Sequence, residues 1–342
     1  MQTCVLPTNV DALPSKLSQT GCVNPTNVKA FAASVIPYDV NSPLWSDGAD
    51  KTRGLALPTG AKIHVNNCTT TPTECPQGSA DDGKWIFPVG TVLVKDFRFD
   101  GKLLETRLFV HQDVVTWVGY SYAWDEAQTD ATIVADAGKA VKFNTGVRAI
   151  DWQYPSRMNC MTCHKPTSGS SLGLDTPQMN RPGTTGMNQI DRLKSLDLFD
   201  GPMVTPYKAA LVTPYASQSG TPPAGATVND RARSYLQANC AFCHRPDDPD
   251  GYRLDLRFGT AFKDMNICGA DPQKSDLGFV GAHVLDPGKP ASSLMWQRMK
   301  QPPDNGTDKF GRMPPLASTV VDQSALDLIG QWITSIPSPC PM

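Results

Sequence analysis

The chain has 342 residues, with 31 Lys and Arg against 33 Asp and Glu and a formal net charge of −2. At about 150 residues per domain this length exceeds one ordinary core and predicts two or three units. The balanced charge offers no general attraction to nucleic acid or anionic lipid, so any partner is recognised locally.

No apolar run of about 18 residues occurs, which excludes a membrane-spanning helix. The first residues lack the basic and apolar regions of a signal peptide, so the sequence reads as a mature or trimmed chain. Ten cysteines point to an oxidising compartment, periplasmic or extracellular, because cytosolic thiols stay reduced. Thirty Pro and 27 Gly are spread along the chain, which predicts long ordered loops rather than one disordered block.

In chain order, the first cluster of interest is 38–53, which carries Asp39, Asn41, Asp47 and Asp50. Such oxygens suit calcium. The spacing does not match an EF-hand loop, however, and Asp and Asn are ordinary turn formers, so turns are the plainer expectation. From about 84 to 150 short alternating runs predict strands. Thr91 to Phe99 and the run through Leu104, Thr106, Leu108 and Val110 flank Asp100-Gly101, and alternation with Glu105 and Arg107 predicts a hairpin half exposed to water. The next strand puts Val118, Tyr120, Tyr122 and Trp124 on one face and Gly119, Ser121 and Ala123 on the other. Those small residues admit a close second layer, with the Cys-rich segment after residue 157 one candidate and plain sheet packing the other.

Residues 159–166 read Asn-Cys-Met-Thr-Cys-His-Lys-Pro, and 239–246 read Asn-Cys-Ala-Phe-Cys-His-Arg-Pro. Both contain Cys-x-x-Cys-His, the attachment signature of c-type haem, in which two thiols form thioethers to the porphyrin and the histidine faces the iron. The motif implies two covalently bound haems, on Cys160 and Cys163 with His164, and on Cys240 and Cys243 with His244. A zinc ribbon would use the same four cysteines, but Cys163 and Cys240 lie 77 positions apart and both histidines would go unexplained. A thioredoxin-like pair would follow a strand and open a long helix, which neither pair does. Lys165 and Arg245 follow the histidines, either to meet a propionate or as solvated charges.

Asn188 to Phe199 has a helical pattern, with Met203 and Pro206 just beyond. Further on, Asn229 or Asp230 is expected to cap a helix through Tyr235 and Leu236 into Cys240. Asp322 is expected to cap another with Leu326, Ile329, Trp332 and Ile333 on one face. Between them stands Arg312-Met313-Pro314-Pro315, 69 residues after His244, where Met313 can offer a thioether to the open side of the second iron.

The six other cysteines are even in number, and fifteen pairings are open to them. Short loops favour Cys4 with Cys22 and Cys68 with Cys75, leaving Cys268 for Cys340. Cys4 as a lipid-modified terminal residue is the alternative, and it would orphan one of the other five.

The order of helix, Cys-x-x-Cys-His, Met-Pro loop and terminal helix resembles class I cytochrome c over roughly the last third of the chain. It departs from that pattern in a long insertion around 268–287. Together with Tyr38 to Asp50, Trp117 to Tyr122 and Tyr154-Pro155-Ser156-Arg157, these motifs resemble a family of exported bacterial di-haem c-type cytochromes, from about residue 30 onward.

The resemblance implies an α+β fold: a β-rich N-terminal domain over 1–150, a first haem segment over 151–225, and a class I-like second haem domain over 226–342. Both haem domains are expected to be mainly α-helical and loop-rich. It further implies electron transfer between redox protein partners. The sixth ligand of the first iron has no clear owner, His64, His111, His283, Met179, Met187 and Met203 all being candidates. An open site there would make a peroxidase-like enzyme, and a redox subunit of a dehydrogenase would differ from a free carrier only in its partner.

Overall fold

The computed structural model describes residues 4, 13–68, 70–75, 82–147, 149–203, 207, 209–215, 222–246, 248–251, 253–301, 311–316 and 318–341. Pro206 lies outside them. The chain falls into two compact units. Unit 1 is Met1–Val40, Ala49–Val65 and Gly83–Lys208, and unit 2 is Asn41–Gly48, Asn66–Asp82 and Ala209–Met342. The first Cys-x-x-Cys-His segment therefore belongs with the β-rich part of the chain.

Unit 1 contains β1 (Val23–Asn24), β2 (Asn27–Phe31), β3 (Ile36–Tyr38), β4 (Asp50–Ala56), β5 (His64–Val65), β6 (Trp85–Ile86), β7 (Val92–Phe99), β8 (Lys102–His111), β9 (Trp117–Trp124), β10 (Ala131–Ile133), β11 (Lys139–Asn144) and β12 (Ala149–Tyr154). Its centre is a six-stranded antiparallel sheet in the order β10-β9-β8-β7-β4-β3. Asp100 (φ 48°) and Gly101 (φ 78°) make the β7–β8 turn, both left-handed as a tight hairpin of this twist requires. One sheet face packs Val94, Leu108, Val110, Tyr120 and Tyr122 against Leu17, Val23 and Val35 of the N-terminal segment.

The other face is built from three rows set by the strand register. They are Leu55-Leu93-Phe109-Gly119, Arg53-Lys95-Arg107-Ser121 and Lys51-Phe97-Glu105-Ala123. The expected half-exposed hairpin is not found, because this face is covered too. The β11–β12 hairpin packs Ile150, Trp152 and Tyr154 against Phe97, Phe99 and Leu104. Glu105 is consequently wholly buried, and it accepts hydrogen bonds from Arg107 Nε (2.7 Å), Arg107 Nη2 (2.9 Å) and Trp152 Nε1 (2.9 Å).

The helices are α1 (Arg157–Cys163), α2 (Thr176–Met179), α3 (Gln189–Ser195), α4 (Val228–Asn239), α5 (Leu294–Lys300) and α6 (Gln323–Ser335). The expectation of mainly α-helical haem domains is overturned. Unit 2 has α-helices of 12, 7 and 13 residues among its described residues, joined by long irregular stretches, while the six-stranded sheet dominates the chain as a whole. Core residues such as Leu256, Met265, Ile267 and Leu285 come from those loops, whose backbone groups bond one another instead of forming helix. The β-rich N-terminal part stands as expected.

In unit 2, α4 and α6 pack Tyr235 and Leu236 against Ile329, Trp332 and Ile333. Burying each of these apolar side chains contributes about 1.5–3 kcal/mol. Asp322 caps α6 by accepting from Ala325 N (3.1 Å). The cap of α4 is Thr227, in a reciprocal capping box with Asp230, and Asn229 instead accepts from Trp332 Nε1 at 3.0 Å. The 268–287 insertion is closed at its root by Gly269 N to Leu285 O (2.9 Å) and Leu285 N to Ile267 O (3.1 Å).

Disulfides join Cys4 to Cys22, Cys68 to Cys75 and Cys268 to Cys340. The acidic cluster at 38–53 has structural employment. Asp39 pairs with Arg53 at 2.8 Å and Arg181 at 3.3 Å in unit 1. In unit 2, Asp47 accepts from Thr319 N, Thr319 Oγ1 and Val320 N at 2.8–3.0 Å.

Candidate metal centres

Both Cys-x-x-Cys-His segments close the same turn. In unit 1, Ser156 caps α1 in a capping box with Asn159, and His164 N donates to Cys160 O at 3.0 Å. In unit 2, α4 ends at Cys240, and His244 N donates to Cys240 O at 2.9 Å. Spacings of three and four residues on such a turn bring both sulfurs and the imidazole to one side of the backbone. The four motif cysteines are the ones outside disulfides.

The first turn lies directly on the sheet. A Cβ added at Gly119 would stand 2.7 Å from Cys160 Sγ, so the glycine is what lets α1 approach β9 this closely. The His164 ring rests on Phe109, with centroids 4.2 Å apart. Its Nδ1 meets the Ser170 carbonyl at 2.5 Å and its Nε2 has no hydrogen-bond partner among the described residues. Burial holds the imidazole down to about 3, with nearby Lys95 and Arg107 adding to the effect, so it is neutral near pH 7. A neutral ring with Nδ1–H committed to a carbonyl presents its Nε2 lone pair outward, as a metal ligand does.

Burial raises the Cys160 thiol above its ordinary value and pushes the Cys240 thiol up to about 12, with Cys243 adding to the latter. Neutral thiols of this kind are not the low-pKa thiolates of a thioredoxin-like pair. The donor set of each motif, two thiols and one imidazole on one turn, fits a covalently attached haem.

Met313 is half-buried in unit 2, with its N–H on Arg298 O at 3.1 Å and a cis peptide bond to Pro314. Its loop is pinned by Arg312 Nη2, which donates to Ser318 Oγ (2.9 Å) and Val320 O (3.0 Å), and by Asp47. The same unit holds Trp45, whose backbone N–H donates to Asn239 Oδ1 at 2.7 Å, immediately before Cys240. Arg245 is buried, which removes its reading as a solvated charge, and Lys165 is half-buried.

The candidates for a sixth ligand of the first iron separate by environment. His64 Nδ1 is engaged by Asp200 at 2.9 Å. His111 is stacked on Trp117, which stacks on Phe109, so two aromatic rings intervene before His164. His283 is in unit 2 and engages Asp286 at 2.7 Å, and Met187 is exposed. Met179 and Met203 are buried in the cluster against which Met161, inside the first motif, also packs.

Sequence reasoning missed the Ser170 carbonyl, the Phe109 platform and the cations Lys95 and Arg107. A backbone acceptor leaves no signature in side-chain types. The other three become neighbours of the motif only through sheet register. No family model matches the chain, and no curated protein or solved structure was found to be similar to it.

Proposed function

We propose that the chain is a di-haem c-type cytochrome, periplasmic or secreted, that passes electrons between protein redox partners. The observation that carries the reading is the repeated turn, in which two cysteines outside any disulfide are followed by a histidine whose N–H closes back on the first of them in each unit, while the other six cysteines form disulfides. Those disulfides favour an oxidising compartment, and none of the described helices is long and apolar enough to cross a membrane.

A haem at each motif supplies an iron that changes oxidation state by one electron. The chain's own residues would hold it: Cys160 and Cys163, or Cys240 and Cys243, through thioethers, and His164 or His244 as a ligand of the iron. Ser170 orients His164 by accepting its Nδ1–H. For the second site Met313 is the proposed sixth ligand, a soft thioether that favours the reduced metal and raises the potential. The near-balanced surface charge suits recognition by a local patch.

Acid denaturation followed by organic extraction tests the attachment. Colour remaining with the protein, with a mass exceeding the bare chain by two haems, is expected, and a colourless chain of bare mass refutes the reading. In Met313→Ala the sulfur-to-iron absorbance disappears and the higher of two potentials falls, whereas unchanged values remove Met313 from the iron. Cyanide and carbon monoxide are expected to bind slowly or not at all. Rapid stoichiometric binding followed by turnover of peroxide would make the protein an enzyme instead of a carrier.

A further inference from the structure

The sheet face under α1 carries a concentration of cations that the ligation of iron does not use. The register sets Arg53 of β4, Lys95 of β7 and Arg107 of β8 side by side, with Lys51 one same-face position further along β4. Arg107 is engaged by Glu105 and Arg53 by Asp39. Lys95 has no hydrogen-bond or ion-pair partner among the described residues. Burial, then Arg53 and Arg107, pushes its ammonium down to about 7, and burial likewise pushes Lys51 far below its ordinary value. The charged groups facing Lys95 are Arg53 and Lys51 from β4, Arg107 and Glu105 from β8, and Cys163 and His164 from the end of α1. Lys95 is half-buried and without an ion-pair partner among the described residues, and a partly desolvated ammonium set among other cations favours an anion from outside the polypeptide.

The strands supply a ruler. Cys160 touches β9 at Gly119 and His164 rests on Phe109 of β8. With neighbouring strands about 4.8 Å apart, Lys95 on β7 lies about 10 Å across the face from the attachment strand and Arg53 on β4 about 15 Å. That is the order of distance from the thioether edge of a porphyrin to its opposite edge, where its carboxylates are.

We propose that Lys95, backed by Arg53 and Lys51, is the seat of the propionates of the haem attached through Cys160 and Cys163. The inference rests on the di-haem reading. It assigns the anchoring role to residues more than fifty positions before the motif, and not to Lys165 beside it.

The test uses the full holo-chain, Lys95→Met and Lys95→Arg, with covalent haem counted first on denatured samples. In Lys95→Met the propionate loses its cation, so at low pH it takes up a proton in compensation and at high pH stands as an uncompensated anion. In the parent a propionate against Lys95 holds the ammonium charged at pH 8, so its removal there favours the oxidised form of the first haem about tenfold at fixed solution potential, a midpoint about 59 mV lower. The difference shrinks towards zero at pH 5, and Lys95→Arg restores the parent profile.

A potential unchanged at every pH, or a shift that does not vary with pH, overturns the proposal while leaving two covalent haems in place. Loss of an amine-to-iron signature on mutation overturns it too, by making Lys95 an axial ligand. A denatured chain without haem fails the di-haem reading, and this proposal with it. Should the variants not fold, a crystal structure of the parent holo-protein decides. Lys95 Nζ within about 3.2 Å of a propionate oxygen supports the assignment, and propionates directed elsewhere overturn it.

Discussion

Replacing Gly119 with Ala is the sharpest test of how the first motif is seated. The new methyl carbon would stand 2.7 Å from Cys160 Sγ, 3.1 Å from Cys160 Cβ and 3.6 Å from Phe109 Cδ2. Unstrained contacts between such atoms need about 3.5–4.0 Å, so α1 has to lift from β9 by about 1 Å at Cys160. Overpacking of this size costs about 1–3 kcal/mol. For a unit of 150–250 residues each kcal/mol moves Tm by about 2–4 °C, so a fall of about 2–12 °C is expected. The lift also displaces the two sulfurs from the His164 ring, which stays on Phe109, and haem occupancy of the first motif should fall while that of the second does not. Calorimetry and peptide mass analysis of the two motifs read both effects. A variant that melts with the parent and loads both motifs equally would show that α1 does not bear on Gly119, and the seating argument would be wrong.

Three further outcomes follow from packing and charge. Glu105→Ala leaves the half-buried Arg107 guanidinium without its carboxylate and Trp152 Nε1 without its acceptor, and urea denaturation should show a loss of about 1–3 kcal/mol, whereas no loss would mean that these hydrogen bonds do not hold the sheet face. Cys340→Ser opens a loop spanning 72 positions, and the chain-entropy estimate predicts a stability loss of about 4 kcal/mol, checked by comparing denaturation midpoints of oxidised parent and variant. Burial works against the Asp255 charge, but hydrogen bonds from Arg257 and Thr260 outweigh it and hold the carboxyl below its ordinary value. Its unfolded pKa is about 3.9, so its contribution is complete above that pH and is lost as pH falls through the lower folded value. Asp255→Asn should therefore flatten the stability curve of the chain in that acid range, and an unchanged curve would remove Asp255 as a cause.

Much of the local structure was legible in residue order. Asp100-Gly101 turned where expected, Asp322 capped α6, Ile329, Trp332 and Ile333 of α6 joined one core cluster, and Cys4–Cys22 and Cys68–Cys75 paired as the short loops suggested, with Cys268 left to Cys340. Apart from that last bridge, which spans 72 positions, each is a near-neighbour effect, governed by backbone preference or loop length. The failures have one cause in common. The helical expectation for the haem segments borrowed a pattern from a family with shorter loops, whereas residues such as Ile267 and Leu285 reach the unit 2 core from irregular backbone. The half-exposed hairpin was misread because alternation reports only that one face is more polar. Glu105 is polar yet buried and Arg107 half-buried, because Glu105 accepts from both Arg107 and Trp152.

The candidate site divides in the same way. The identity of its thiols and imidazoles, and the one-sided turn that gathers them, follow from five consecutive positions, since hydrogen bonds between residues four apart need nothing from elsewhere in the chain. The platform of Phe109, the gap left by Gly119 and the cations at Lys51, Arg53 and Lys95 were decided only when the strands took their register, while the carbonyl of Ser170 reaches His164 through the short loop that joins them. A one-residue slip in β7 would turn Lys95 to the opposite face, and one in β8 would do the same to Phe109. What register sets is the surroundings of the histidine, its desolvation and its field, because these depend on which distant residues are near neighbours in space and not on the order in which they are joined.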